Sequence, residues 1–478
     1  MLEQLFAISN ELILTTLAVV VMSVNLSGRR NSGRVEILLT VFTLAALSLA
    51  AVTGFFPERA VFGGVYQAGP VAQVFKCVFL LAGLMTALLS WRGNQPVETL
   101  PSHRIGEHLG LMVLSLVGMC FLVSAQELVL LYVSLELVTI PLILLVAFNR
   151  RELRSAEAGM KYVMFSALSS GLLLYGLSLL YGMTGSTYLG TVGSRLQMSF
   201  LTVVALVLVM GGVGFKISAA PFHLWTPDTY EGAPLPVATF LSVASKAAGF
   251  GLFFKLISVG FALASEHAQL LVVILASLTM SIGNLVALMQ TNMKRFLAYS
   301  SIAQAGYLLV GLANREELGT ASVLFYLLVY LFSNIAAFGV VTLIAGATGK
   351  EDMRDYVGFS ISNPGLAAVM MLAMFSLAGI PPLAGFLGKF YLFAAAAEKG
   401  LYWLVLVGVA NATVSLYYYL TVLRWMYLVK AEPGQEFPRI RTPLAGTLAL
   451  GFCSVSMIAI GLVPQVIRWT ETAAKAGL

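Results

Sequence analysis

The sequence predicts an all-α membrane protein of about fourteen transmembrane helices, on three observations. Of its 478 residues, 59% are hydrophobic and only 10% charged, where a soluble domain carries roughly 25% charged residues. With a mean hydropathy of +0.90, too little polar surface exists to keep the chain wet. The apolar residues gather into runs of about 20, the length that crosses a bilayer as a helix. The basic residues fall in alternate loops between those runs. A net charge of +6 fits basic loops facing a cytoplasm better than nucleic-acid binding.

In order, the runs lie near 8–26, 36–56, 71–91, 109–125, 127–148, 158–182, 200–222, 236–262, 268–290, 295–313, 320–347, 364–398 (interrupted), 401–428 and 442–463. The first is read as a retained helix, because Glu3 and Glu11 stand where a cleaved signal has basic residues. Loops after odd-numbered runs carry Arg29, Arg30 and Arg34, then Arg92 and Arg104, then Arg150, Arg151 and Arg154. Further on they carry Lys294 and Arg295, Lys350 and Arg354, and Lys430, Arg439 and Arg441. The opposite side has little beyond Arg59, Arg195, Arg315 and Lys399. The positive-inside rule then puts odd-run loops in the cytoplasm and both termini outside.

Cys77, Cys120 and Cys453 lie far apart in apolar runs and read as small buried hydrophobes. The chain shows no GxGxxG, P-loop, CxxC or HExxH pattern. It offers no visible means of holding a nucleotide, haem or iron–sulfur cluster.

Two runs are broken. The seventh is interrupted at Pro221, after Gly211-Gly-Val-Gly-Phe-Lys216, and the twelfth at Ala378-Gly-Ile-Pro-Pro-Leu-Ala-Gly-Phe-Leu-Gly-Lys389. Interrupted helices at matching places in two halves mark a transport site. The breaks are five runs apart, so runs 4–8 and 9–13 read as two five-helix repeats. Five is odd, so the second is inverted. The expected divisions are 1–108, three N-terminal helices; 109–262, first repeat; 263–428, second repeat; and 429–478, the last helix.

Ionisable residues inside hydrocarbon are functional candidates by default. Glu136 is about ten residues into its run, so roughly 15 Å deep, and a side chain that short needs a partner or a proton. Lys216 precedes the first break, where freed carbonyls can hold water and an ammonium. Lys246 lies near the middle of the eighth run, and Lys389 in the second half of the twelfth. His223 either joins a water chain or is an interfacial hydrogen-bonding residue. Lys76, Lys161, Lys255 and Arg424 lie nearer run ends, where snorkelling accounts for them. Asp228 and Glu231 read as loop or capping carboxylates. One carboxylate and three lysines at similar depth on four helices form an in-plane proton wire.

Lys216-Ile-Ser-Ala-Ala-Pro-Phe-His-Leu-Trp-Thr-Pro-Asp-Thr-Tyr-Glu-Gly-Ala-Pro234, followed by Ser245-Lys-Ala-Ala-Gly-Phe250, resembles the antiporter-like membrane subunits of respiratory complex I, the proton-pumping NADH:quinone oxidoreductase. The resemblance covers nearly the whole chain. Thr226-Pro-Asp-Thr-Tyr230 and Lys389 place it nearest the family's N branch. The L, M and Mrp-antiporter branches read closer to Leu-Pro-Asp-Ala-His at the first of those sites. The resemblance implies that Glu136, Lys216, Lys246 and Lys389 are the family's proton-relay residues. It also implies a hetero-oligomer of membrane subunits in a bacterial inner membrane, driven by quinone reduction. The quinone, FMN and Fe-S clusters are then expected in partner subunits, with no cofactor or metal on this chain and no nucleic-acid partner. The alternatives are an Mrp-type Na⁺/H⁺ antiporter subunit, a membrane subunit of an energy-converting hydrogenase or a ferredoxin- or F420-dependent relative, and a non-pumping scaffold.

Overall fold

In hydrocarbon every backbone amide needs a partner within its own segment, so apolar runs become helices. A computed structural model describes residues 2–27, 32–54, 60–91, 104–430 and 437–477. Arg29, Arg30, Arg59 and Arg92 lie outside the described residues. The main helices are α1 (Ser9–Leu26), α2 (Ser32–Val52), α3 (Pro70–Ser90), α4 (Ile105–Ser124), α5 (Leu128–Val146) and α6 (Leu153–Thr184). Then come α7 (Phe200–Lys216), the short α8 (Trp225–Gly232) and α9, the helical run Leu235–Gly260. They continue with α10 (Ser265–Ala287), α11 (Met293–Leu312), α12 (Glu317–Thr348), α13 (Pro364–Ala378), α14 (Ala384–Glu398), α15 (Tyr402–Leu428), α16 (Leu444–Leu462) and α17 (Gln465–Ala476).

Each of the fourteen apolar runs contains a helix. Eleven of the described helices are long and apolar enough to cross a membrane. The others have local causes. The breaks shorten α7 and α13, and α11 begins with Lys294 and Arg295 and carries several polar side chains. Helix α4 starts at Ile105, ahead of the expected 109, and takes Glu107 and His108 into its first turn. The amphipathic α17 packs against α12 and α3.

One order of features occurs twice. An isolated bridge, Glu127 with Tyr188, ties the residue before α5 to the segment after α6. Another, Asn292 with Asp352, does the same around α11 and α12. Helices α6 and α12 each have 32 residues and end on a left-handed glycine, Gly185 and Gly349, the conformation glycine adopts without penalty. At ~1.5 Å per residue each is about 48 Å long, more than the ~30 Å apolar core requires. A break follows each, and both α9 and α15 end in a π turn, Leu256–Gly260 and Arg424–Leu428.

Burial separates the helices. Helix α12 packs against α3, α11, α13, α14, α16 and α17 and is buried along nearly its whole length, as is α9. Helices α6 and α15 expose most of theirs, including Met164, Leu168, Trp403 and Tyr417. That is the expected surface against lipid.

Candidate functional site

The first break starts where α7 ends, at Lys216. Ser218 takes a left-handed conformation, φ 61°, and its Oγ accepts from Thr226 Oγ1 at 2.8 Å. The Ala220 N–H donates to Thr279 Oγ1 at 2.9 Å, and Trp225 Nε1 donates to the Phe215 carbonyl at 3.0 Å. Side chains thus take up polar groups that the interrupted helix releases. Lys216 is only 3% exposed. Its Nζ donates to Thr139 Oγ1 at 2.6 Å and lies 5.9 Å from the centre of the Tyr162 ring.

Glu136 lies three residues before Thr139 on α5, so it shares that face of the helix. Its Oε1 accepts from Ser170 Oγ of α6 at 2.5 Å. The charge interaction expected between Glu136 and Lys216 is therefore not a closed pair. Ser170 holds the carboxylate, Thr139 holds the ammonium, and about one turn of α5 separates them. Sequence reasoning missed both hydroxyls, because serine and threonine in an apolar run look like ordinary helix residues.

Lys246 follows a π turn, Leu241–Ser245, a rare distortion that often marks function. It is 2% exposed. Its Nζ donates to Ser301 Oγ of α11 at 2.7 Å and sits 5.9 Å from the Tyr230 ring centre. His223 lies inside the first break, buried, with no hydrogen-bond partner for Nδ1.

At the second break α13 ends at Ala378, and Gly379 turns left-handed at φ 86°. Its N–H reaches the carbonyls of Phe375 and Ser376, both at 3.0 Å. Gly385 lets α14 approach so closely that a Cβ there would stand 1.7 Å from the Ser376 carbonyl oxygen. Lys389 folds back into the gap. Its Nζ donates to the freed Ala378 carbonyl at 3.1 Å and lies 4.5 Å from the Tyr307 ring centre. A released carbonyl holding an ammonium was expected at the first break. It is found at the second.

Helix α11 spans the interval between Lys246 and Lys389. Ser300, Ser301, Gln304 and Tyr307 recur at three- and four-residue spacing along it, so they line one side. Ser300 shares a 2.5 Å hydrogen bond with the Tyr419 hydroxyl. Gln304 Nε2 donates to that hydroxyl and to the Leu377 carbonyl, both at 3.1 Å, and its Oε1 accepts from Tyr326. Asn284 Nδ2 donates to Tyr307 at 3.3 Å, and Tyr418 donates to Asn284 Oδ1 at 2.8 Å. The tyrosines were legible only as a Tyr417-Tyr418-Tyr419 run.

Four expectations need correction. Lys76 does not snorkel. It is buried and pairs with Glu11 at 2.8 Å, and Tyr66 joins both, at 2.8 and 2.9 Å. Lys255 does not snorkel either. It is buried, and its Nζ donates to the Ala125 carbonyl at 2.6 Å. Lys161 is held at 2.7 Å by Asp228 and at 2.8 Å by Glu157. Asp228 and Glu231 belong to α8 rather than a loop, and both accept from Arg295, at 2.9 and 2.7 Å. In each case a partner far away in sequence supplies what distance to the interface was thought to supply. Arg424 is exposed, in accord with its reading. Among the described residues no three His, Cys, Asp or Glu side chains converge as metal ligands.

Residues 125–415 match the family model described as NADH:quinone oxidoreductase/Mrp antiporter, TM. A NADH-quinone oxidoreductase subunit N of Desulforamulus reducens is 44% identical over 410 residues, covering 84% of this chain and 83% of that one. A chain of respiratory complex I from Thermus thermophilus superposes with TM-score 0.80 at 32% identity, over 95% of this chain and 97% of that one. A chain of the Mrp complex from a Dietzia species reaches TM-score 0.85 at 22% identity, covering 99% and 97%, a likeness of fold alone.

Proposed function

The chain belongs to the family of NADH:quinone oxidoreductase and Mrp-antiporter membrane subunits, and we propose that it is the proton-translocating N-type subunit of an NADH:quinone oxidoreductase. One observation carries the reading. Lys216, Lys246 and Lys389 are buried, and among the described ion pairs none includes them. Each is held instead by a neutral group, Thr139, Ser301 and the Ala378 carbonyl. A permanent structural ammonium in a low-dielectric interior calls for a carboxylate. An amine that gains and loses a proton is better served by a hydroxyl or carbonyl.

In the proposed cycle Glu136 changes its distance from Lys216, and Lys216 yields its proton toward Lys246. The polar side of α11 leads from Lys246 to Lys389, which discharges on the far side. His223 stands beside the first step as a further proton acceptor. The repeated features around the two breaks support two inverted five-helix units within a fourteen-span chain. The bacterial inner membrane, the outward termini and the neighbouring complex I subunits belong to the same reading. So does a set of partner subunits holding the quinone, FMN and Fe-S clusters.

The test is Lys216→Ala in the native complex, reconstituted in vesicles. Protons translocated per electron should fall while quinone reduction and subunit composition persist. An assembled Lys216→Ala complex that pumps at the full ratio would sink the proposal. Na⁺-dependent transport without any quinone reductase would favour the Mrp reading.

A further inference from the structure

A relay of buried lysines needs a supply of protons, and its three lysines are 2–4% exposed. At the end of the molecule that carries the basic loops, α6, α8 and α11 enclose a cleft of about 250 Å³. Glu157, Lys161, Asp228, Glu231 and Arg295 line it, together with Arg154. Its charges are cross-linked, with Lys161 on Asp228 and Glu157, and Arg295 on Asp228 and Glu231.

Behind this polar face the same helices carry hydroxyls inward. Tyr162 follows Lys161 on α6, and Thr229 and Tyr230 follow Asp228 on α8. The side-chain oxygens of Tyr162, Thr229, Tyr230 and Ser245 are buried without a hydrogen-bond partner. A native protein strands few buried polar groups, and water is the usual partner when several gather in one place. These four gather around the two lysines. The Tyr162 ring is 5.9 Å from Lys216 Nζ, the Tyr230 ring is 5.9 Å from Lys246 Nζ, and Ser245 precedes Lys246 in the chain.

We propose that this cleft is the mouth through which the relay takes up protons, and that Tyr162, Thr229, Tyr230 and Ser245 hold the water chain leading from it to Lys216 and Lys246. The proposal rests on the relay reading above. A hydronium in the cleft passes its proton along the waters, each O–H bond breaking as the next forms. The neutral amine of Lys216 or Lys246 accepts the last proton as a new N–H bond. Burial would raise the Asp228 carboxyl, but hydrogen bonds from Lys161 and Arg295 outweigh it and hold the group below the usual carboxylate range. Asp228 therefore stays anionic and draws protons to the mouth without storing them.

The experiment uses the assembled complex in vesicles and measures protons translocated per electron. Tyr162→Phe combined with Tyr230→Phe keeps both rings and removes both hydroxyls. The ratio should fall to that of Lys216→Ala. If Lys216→Ala lowers the ratio and the double phenylalanine variant does not, the uptake route is wrong and the relay stands. If Lys216→Ala itself has no effect, the relay reading fails and takes this inference with it. Should the double variant not assemble, Ser245→Ala and a high-resolution map of the unmodified complex decide. Ordered water within hydrogen-bond reach of the Tyr162 and Tyr230 hydroxyls is expected, and a dry pocket there overturns the proposal.

Discussion

The helices from Ile105 to Gly260 and those from Ser265 to Leu428 repeat one order of parts, yet they bury different chemistry. The first group holds Glu136, Lys216 and Lys246. The second holds Lys389 as its relay lysine. Where α5 has Glu136, α11 offers Ser301 and Gln304. In the middle of α15, as Lys246 is in α9, stands Asn411, whose Oδ1 accepts from Asn284 at 3.1 Å. Neutral amides and hydroxyls can satisfy one another and rest, whereas an ionisable group in an apolar interior is costly until its charge state changes. The same scaffold thus serves once as a charged loading half and once as a neutral conducting half.

The sharpest contrast uses a buried lysine outside both groups. Lys76 has the carboxylate that the relay lysines lack. Lys76→Met leaves Glu11 alone in the interior and should destabilise the chain by about 3–5 kcal/mol, read as thermal unfolding in detergent. Glu11→Leu with Lys76→Met should recover most of that. If Lys76→Met is as mild as Lys246→Met, the distinction between paired and proton-carrying lysines is lost. Next in size is Gln304→Leu in the neutral half. It strands the Tyr326 and Tyr419 hydroxyls and the Leu377 carbonyl, so stability should fall by about 1–3 kcal/mol for each group left without a partner. A loss of translocation at unchanged stability would instead move Gln304 into the charged half's role.

The smallest effect concerns the cleft. Asp228 has a lowered folded pKa, so its contribution is present above the unfolded value of about 3.9 and lost as pH falls through the lowered folded value. Acid titration followed by tryptophan fluorescence, with Trp225 on the same short helix, should show a transition below about pH 4 that Asp228→Asn abolishes. A transition near neutral pH would show that Lys161 and Arg295 do not hold the carboxylate.

The helices were legible because hydropathy is a local property. Twenty apolar residues declare a span whatever surrounds them, and proline and glycine declare the breaks at Pro221 and Gly379 just as locally. The candidates Glu136, Lys216, Lys246, Lys389 and His223 were legible for the same reason. Their partners were not. Thr139 is 77 residues from Lys216 and Ser301 is 55 from Lys246, and nothing in either stretch marks one hydroxyl above another. Depth misled at Lys76 and Lys255, where closeness to a run end suggested escape to the interface while neighbouring helices closed over them.

By itself, then, the sequence determined that this is a polytopic helical membrane protein with two interrupted helices and lysines at membrane depth. The tertiary structure alone decided which charges are paired. It put Glu11 on Lys76, left Lys216, Lys246 and Lys389 to neutral partners, and gave Glu136 to Ser170. The physical reason is that inserting a residue into hydrocarbon is a cost each segment meets alone, whereas a charge's partner is set by how distant helices pack.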